Sequence, residues 1–150
     1  MYLKLPPAIV WLLAASLMLG VARFLPFGNF DFTGRIYFIY VFIGLGAFIG
    51  VFAIIQFIKK HTTINPTKPQ NVSQLVTAGL YSYSRNPMYL GLLLVLLAWG
   101  LYLGNAFNSL VAAGFVSYMN AFQIKPEEAA LSNSFGSEYK AYLKHVRRWF

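Results

Sequence analysis

From residue 5 to residue 58 the chain carries only three charged side chains: Arg23, Asp31 and Arg35. The run from Pro7 to about Leu25 is almost wholly apolar, and so is the run from Arg35 to Ile58, which Lys59 and Lys60 close. Each is about the length a helix needs to cross the hydrocarbon core of a bilayer, some 20 residues. No water is present there to take up backbone N–H and C=O groups, and a helix satisfies them within its own segment. The first third of the sequence therefore demands membrane-spanning helices.

Two more apolar runs follow, Pro87 to Leu103 and Asn105 to about Ile124, joined so tightly that they form an antiparallel pair. Over the 150 residues 58% are hydrophobic, 11% are charged and the mean hydropathy is +0.57. A soluble domain is nearer half apolar and about a quarter charged. The expectation is one all-α integral membrane domain, residues 1–150, with spans at about 7–25, 35–58, 87–103 and 105–124. Pro6 and Pro7 suit the first turn of the first span. Gly20-Val21-Ala22 resembles a small-residue cleavage site, so a signal peptide is the competing reading of residues 1–22. The length of the run and the three that follow favour a retained helix. Pro26–Gly34 has loop composition.

Charge orients the bundle. With the N-terminus in the cytoplasm, that side holds Lys4, the 59–86 connection and the C-terminal segment, ten of the twelve Lys and Arg residues. Only Arg23 and Arg35 fall outside. The bias puts both termini inside, as in a bacterial inner-membrane protein. In so apolar a chain the net charge of +8 points to anionic lipid rather than to nucleic acid. There is no cysteine, which rules out disulfides and thiol catalysis. His61 and His145 lie far apart with no ligand pattern around them, so no metal site is expected.

Gly44-x-Gly46-x-x-x-Gly50 superficially matches a dinucleotide fingerprint, but that motif needs a preceding strand and a helix start, and these glycines sit mid-span. Gly46 and Gly50 read better as a face that lets a second helix approach closely, and Gly100 and Gly104 invite the same reading. Either face suits a helix of this chain or of another copy.

The 59–86 connection is the longest hydrophilic stretch, with four Lys or Arg and no acidic residue. Pro66, Pro69 and Asn71 argue against a continuous helix in it. It ends in Arg85-Asn86-Pro87, which runs directly into the third span. Asn86 is a good N-cap and Pro87 is the residue preferred at the first helical position. The amides of such a turn attract anions, and Arg85 adds a planar fork suited to a carboxylate. The plainer reading is a capped helix whose Arg85 snorkels to the headgroups.

Along the fourth span, Ser117, Asn120, Gln123 and Glu127 recur at three or four residues and define one side. A polar stripe on a membrane helix faces a bundle interior or a wet cavity, or else serves as interhelical glue. Beyond it Leu131, Phe135, Tyr139, Tyr142, Leu143 and Val146 recur at helical spacing. Lys140, Lys144, Arg147 and Arg148 fall opposite, and Gly136 is a candidate break. That is an amphipathic, interfacial segment.

Two blocks carry a family resemblance. Thr77-x-Gly79-x-Tyr81-x-x-x-Arg85-Asn86-Pro87-Met88-Tyr89-x-Gly91 resembles the signature of the isoprenylcysteine carboxyl methyltransferase and phospholipid methyltransferase superfamily. Pro126-Glu127-Glu128-x-x-Leu131-x-x-x-Phe135-Gly136-x-Glu138-Tyr139-x-x-Tyr142 is similar to its C-terminal signature. Residues 62–69, Thr-Thr-Ile-Asn-Pro-Thr-Lys-Pro, look like the lead-in of small bacterial members. The likeness covers about residues 60–148. One departure is that eukaryotic members usually carry His where Asn86 stands, a difference that bears on the acceptor more than on the cofactor.

The resemblance implies an S-adenosylmethionine-dependent methyltransferase, with S-adenosylhomocysteine as product and the 59–86 loop and C-terminal helix forming the cofactor site. It implies donor contacts from Val76, Thr77, Gly79, Tyr81, Arg85, Asn86, Pro87, Tyr89, Leu90, Glu127 and Glu128, with Arg85, Asn86 and Glu128 nearest the chemistry. The residues themselves agree with it. If spans three and four are antiparallel neighbours, Arg85 and Glu128 meet at one membrane boundary, a cation opposite carboxylates, which fits a zwitterion such as a methionyl group. Only the resemblance selects that cofactor. The acceptor implied is lipid-like or prenylated and enters from the bilayer: an isoprenylcysteine carboxylate first, a phospholipid amine second. A carboxylate acceptor needs no general base, whereas an amine must lose a proton, with Glu127, Glu128 or a tyrosine as candidates. The non-enzymatic alternative is a four-span transporter or assembly protein. A proton-coupled exporter is expected to hold a carboxylate deep in a span, and Asp31, Glu127, Glu128 and Glu138 all lie in loops or at helix ends. A sterol-reductase-like activity is a third possibility, for which this chain is short.

Overall fold

The computed structural model describes residues 5–59 and 74–150. Lys4, Lys60, His61, the lead-in at 62–69 and Asn71 lie outside the described residues. The helices are α1 (Pro7–Phe24), α2 (Arg35–Lys59), α3 (Pro87–Leu103), α4 (Asn108–Tyr118) and α5 (Lys125–His145). A π-helical stretch, Met119–Ile124, joins α4 to α5 without a break. Among the described residues the only β structure is two isolated bridges.

Two helices, α1 and α2, are long and apolar enough to cross a membrane, and α3 is a shorter apolar helix. Both long helices expose large apolar side chains: Leu12, Leu13 and Leu17 on α1, and Phe38, Tyr40 and Phe48 on α2. An apolar surface this extensive suits lipid rather than water.

Inside, Met18, Leu96, Met119 and Ile124 are fully buried in one cluster built by α1, α3, α4 and the π stretch. Two indoles tie α1 to α3: Trp11 Nε1 donates to the Leu92 carbonyl at 2.9 Å and Trp99 Nε1 to that of Ala15 at 3.0 Å. Helices α2 and α3 meet through glycine. A Cβ on Gly46 would lie 2.8 Å from the Gly91 oxygen, and one on Gly91 would lie 2.8 Å from the Gly46 oxygen and 3.0 Å from the Gly50 nitrogen. The close-approach face expected at Gly46 and Gly50 is thus used within the chain. Gly91→Ala should lower stability by about 1–2 kcal/mol, because helix backbones cannot yield to a methyl as a side chain does. Gly44→Ala, with open space at its Cβ, is the control. Thermal unfolding in detergent that ranks the two variants equal would reject this packing.

At the far end of α3 the fold departs from expectation. The fourth helix begins at Asn108, not Asn105. Asn105 Nδ2 donates to the Leu25 carbonyl at 2.8 Å and to Asn29 Oδ1 at 3.0 Å, while its Oδ1 accepts the Phe107 amide at 3.0 Å, so residues 105–107 form a corner. Gly104 is no helix-face residue either. It ends α3 in the left-handed region at φ +63°, with Arg35 beside it, and Gly100 faces Asn108 and Met18.

The polar stripe also comes apart. The π stretch follows an i→i+5 pattern, which re-aims every side chain after Tyr118. Exposed Ser117 bonds back to the Ala113 carbonyl, Asn120 accepts from Trp149 Nε1 at 3.0 Å, and buried Gln123 donates to the Leu5 carbonyl. Ser117 is thus bonded within its own helix, while Asn120 and Gln123 tie the π stretch to segments distant in sequence, as glue does. Gly136 kinks α5 at φ 52°, and the six apolar residues from Leu131 to Val146 pack as one cluster with Leu75.

Candidate functional site

The stretch before α3 is held by the segment that follows α5. The Arg85 amide donates to the Arg147 carbonyl at 3.0 Å, Ser84 and Arg147 form a parallel bridge, and Asn86 Nδ2 donates to the Arg148 carbonyl at 2.8 Å. That last bond revises the role of Asn86. It occupies the N-cap position and its carbonyl accepts the Leu90 amide, yet its side chain makes no capping bond and instead donates from Nδ2 to the Arg148 carbonyl. Pro87 opens the helix as its fixed φ favours.

Arg85 does not snorkel. Its side chain is 12% exposed and Nη2 lies 3.0 Å from Glu128 Oε1. Glu128, 16% exposed, is held from a second direction by Arg148, whose Nε donates to Oε1 at 3.1 Å and Nη2 to Oε2 at 2.6 Å. One carboxylate thus bridges two guanidiniums. Beside it, Tyr89 Oη donates to Glu127 Oε1 at 2.7 Å.

A turn at Gly79–Ser82 closes another wall. Gln56 of α2 accepts the Leu80 amide at 3.2 Å, and a Cβ on Gly79, whose φ is +64°, would collide with the Gln56 side chain. Only glycine fits. The turn carries Tyr81 inward against Val76, Ala53 and Phe57, and the Tyr81 carbonyl accepts the Tyr142 hydroxyl. Among the described residues, the Tyr81 hydroxyl and Arg85 Nε are buried without a hydrogen-bond partner.

Tyr81, Tyr139 and Tyr142 are all poor acids here. Burial, helped by the Glu128 carboxylate, pushes Tyr139 up to about 12, and burial first of all raises Tyr81 and Tyr142 as well. None supplies a phenolate at neutral pH. Since an unfolded tyrosine titrates near 10, the stability that buried Tyr139 contributes is fully present below pH 10 and is lost as pH rises from 10 through 12. The phenolate absorbance of the protein minus that of a Tyr139→Phe variant should develop near pH 12. A difference developing near pH 10 would place Tyr139 in water.

Of the residues picked out in the sequence, the structure brings Arg85, Asn86 and Glu128 together. It sets Glu127 with Tyr89 alongside, and Val76, Gly79 and Tyr81 in one wall. Thr77 is exposed and Leu90 half-buried. Among the described residues no hydrogen bond or ion pair links either to the Arg85–Glu128 pair. Sequence reasoning missed Arg148, Gln56, and the Trp149–Asn120 bond. Arg148 was projected onto the solvent face of a helix, but α5 ends at His145 and Val146 is extended. Extended backbone alternates its side chains, so Arg147 is exposed while Arg148 turns in.

The phospholipid methyltransferase family profile matches residues 35–138. An uncharacterized protein of Haemophilus influenzae is 52% identical over 62 residues, which are 41% of this chain and 98% of that protein. The Protein-S-isoprenylcysteine O-methyltransferase of Schizosaccharomyces pombe is 31% identical over 105 residues, 70% of this chain but only 44% of the yeast protein. No solved structure matches the chain.

Proposed function

The chain belongs to the phospholipid methyltransferase family, and from that premise we propose that it is an S-adenosylmethionine-dependent methyltransferase acting on a lipid-like acceptor at the cytoplasmic membrane face. The observation that carries this reading is the bridge of Glu128 between Arg85 and Arg148, at the place where the two signature blocks meet.

The residues fit the donor. Two guanidiniums against one carboxylate leave positive charge for a methionyl carboxylate, and Glu128 offers an acceptor for an ammonium. Arg85 Nε and the Tyr81 hydroxyl, without a partner among the described residues, are buried groups that a polar ligand would satisfy. S-adenosylmethionine supplies an electrophilic methyl group on a sulfonium. In this reading Arg85 clamps the donor carboxylate, Glu128 and Glu127 receive cationic charge, and the roof of Tyr139 and Tyr142 keeps water out. Holding donor and acceptor in line is the main catalytic work such a transfer asks of the protein.

Carboxyl O-methylation of an isoprenylcysteine-like acceptor is the preferred reaction. A carboxylate is already a nucleophile, in keeping with tyrosines that stay protonated, and the yeast relative named for that activity supports it. N-methylation of a phospholipid amine is the second reading, supported by the family description. It would give Glu127 the task of accepting a proton. Purified protein incubated with methyl-labelled S-adenosylmethionine and either farnesylcysteine or phosphatidylethanolamine decides between them. Base-labile label on farnesylcysteine is the expected product, and label on neither acceptor would reject the reading.

The proposal includes four spans, the fourth made by α4 with the π stretch, both termini in the cytoplasm, and residence in a bacterial inner membrane. In a chain with no native cysteine, single cysteines at Ser82 and Ala106 report unambiguously. A membrane-impermeant maleimide should reach them from opposite sides. Labelling of both from one side would reject the topology.

A further inference from the structure

Arg148 lies beyond residues 35–138, which the family profile matches, and makes the most complete ion pair in the molecule's described part: two hydrogen bonds to the two oxygens of Glu128. It is also the outermost member of the cluster. Its side chain is 32% exposed, against 12% for Arg85 and 16% for Glu128, so the Arg148 guanidinium covers the carboxylate from the solvent side. The segment that carries it follows the end of α5 and is tied down at three points by bonds that can break singly. These are the Arg85 amide to Arg147, the Asn86 amide to Arg148, and Trp149 Nε1 to Asn120 Oδ1 on the π stretch.

We propose that Arg148 is a specificity-determining positioning residue, whose guanidinium holds the place on Glu128 that the ammonium of an amino-acid-like ligand takes on binding. The inference rests on the donor-site reading above. Arg85 pairs with Oε1 of the buried Glu128, and Arg148 supplies the cationic partner of Oε2, which would otherwise be left desolvated when no ligand is present. Binding then exchanges one ion pair for another, and a ligand lacking the ammonium cannot displace the resident cation. The cost of displacement reduces the apparent affinity of an ammonium-bearing ligand by the fraction of molecules in which Glu128 is already free of Arg148. The Trp149 anchor moves with Arg148.

The sign of the effect distinguishes this role from a structural one. Calorimetry in detergent with S-adenosylhomocysteine, which carries the ammonium but cannot react, should show Arg148→Met binding roughly three- to tenfold tighter than the unaltered protein. Trp149→Phe, which frees the anchor and keeps the guanidinium, should tighten binding less. Arg148→Lys, a cation without the two-bond fork, should fall between. The deaminated analogue of S-adenosylhomocysteine should gain nothing from Arg148→Met. Acrylamide quenching of Trp149, read as the difference from Trp149→Phe, should rise when the ligand binds and should rise without ligand in Arg148→Met.

Weaker binding in Arg148→Met would overturn the proposal and make Arg148 a direct ligand contact. Failure of both the unaltered protein and Arg148→Met to bind would reject the donor-site reading instead. The displaceable contact is then judged by quenching alone, and an unchanged Trp149 in Arg148→Met would reject it too. Binding by Arg148→Met only would support the proposal in its strongest form.

Discussion

Glu128→Ala is expected to lower the stability of the protein by about 2–3 kcal/mol and to remove measurable donor binding. The carboxylate sits between two guanidiniums at 3.0 Å and 2.6 Å, and nothing else among the described residues neutralises them at that distance. Removing one member of a buried pair typically costs about 3–5 kcal/mol, because the charge left behind stays desolvated. The value here is lower because Arg148 is a third exposed and can turn to water, whereas Arg85 cannot. Glu128→Gln keeps the shape and one acceptor, so it should recover most of the stability while still lacking the charge for an ammonium. Thermal unfolding in detergent separates the two variants, and calorimetry with S-adenosylhomocysteine reads the binding loss. If Glu128→Ala unfolded within about 0.5 kcal/mol of the unaltered protein, the bridge would be surface decoration of the ordinary weak kind.

Arg85→Ala should reduce methyl transfer by about a hundredfold, ~2.7 kcal/mol, and Arg85→Lys by at least about tenfold, ~1.4 kcal/mol. The lysine variant is the sharper test. It retains the charge, and with it most of the attraction to Glu128, so the protein should be made and should fold. A lysine ammonium cannot reproduce the planar fork that reaches Glu128 through one nitrogen and the Leu143 carbonyl through another. A membrane anchor would be indifferent to the change, since both residues snorkel. Full turnover in Arg85→Lys would return Arg85 to the role of an orienting charge at the membrane boundary.

What the sequence made legible follows from how local each signal is. Helix α3 was bounded at Pro87 and Leu103 because a proline start and an apolar run need no tertiary information. The apolar series from Leu131 to Val146 was legible for the same reason, as 3.6-residue periodicity is written along the chain. The meeting of Arg85 with Glu128 required one further step, the antiparallel order of two neighbouring helices. The errors share a different origin. Asn86 looked like a local cap and Asn105 like the start of a helix, yet their side-chain amides donate to Arg148, Leu25 and Asn29, all distant in sequence. The stripe from Ser117 to Glu127 was projected with α-helical spacing through a stretch that is π-helical. Arg148 was hidden for the same kind of reason, since the helical projection ran three residues past the end of the helix.

The π stretch has a consequence of its own. Glu127 and Glu128 sit on a helix that runs unbroken from Asn108, so their compass bearing is set by how many residues precede them rather than by which. An i→i+5 segment absorbs a surplus residue that an α-helix cannot hold. Excising one residue there would let α-helix run straight through with both carboxylates near their present bearing, whereas winding the same residues as α-helix would swing them by about 100° around the axis, one step of a 3.6-residue turn. Composition, hydropathy and both signature blocks would survive such a rewinding intact, while Glu128 would face away from Arg85. The site is therefore addressed by the winding of one turn, and the same letters wound as α-helix throughout would keep their alphabet and lose their grammar.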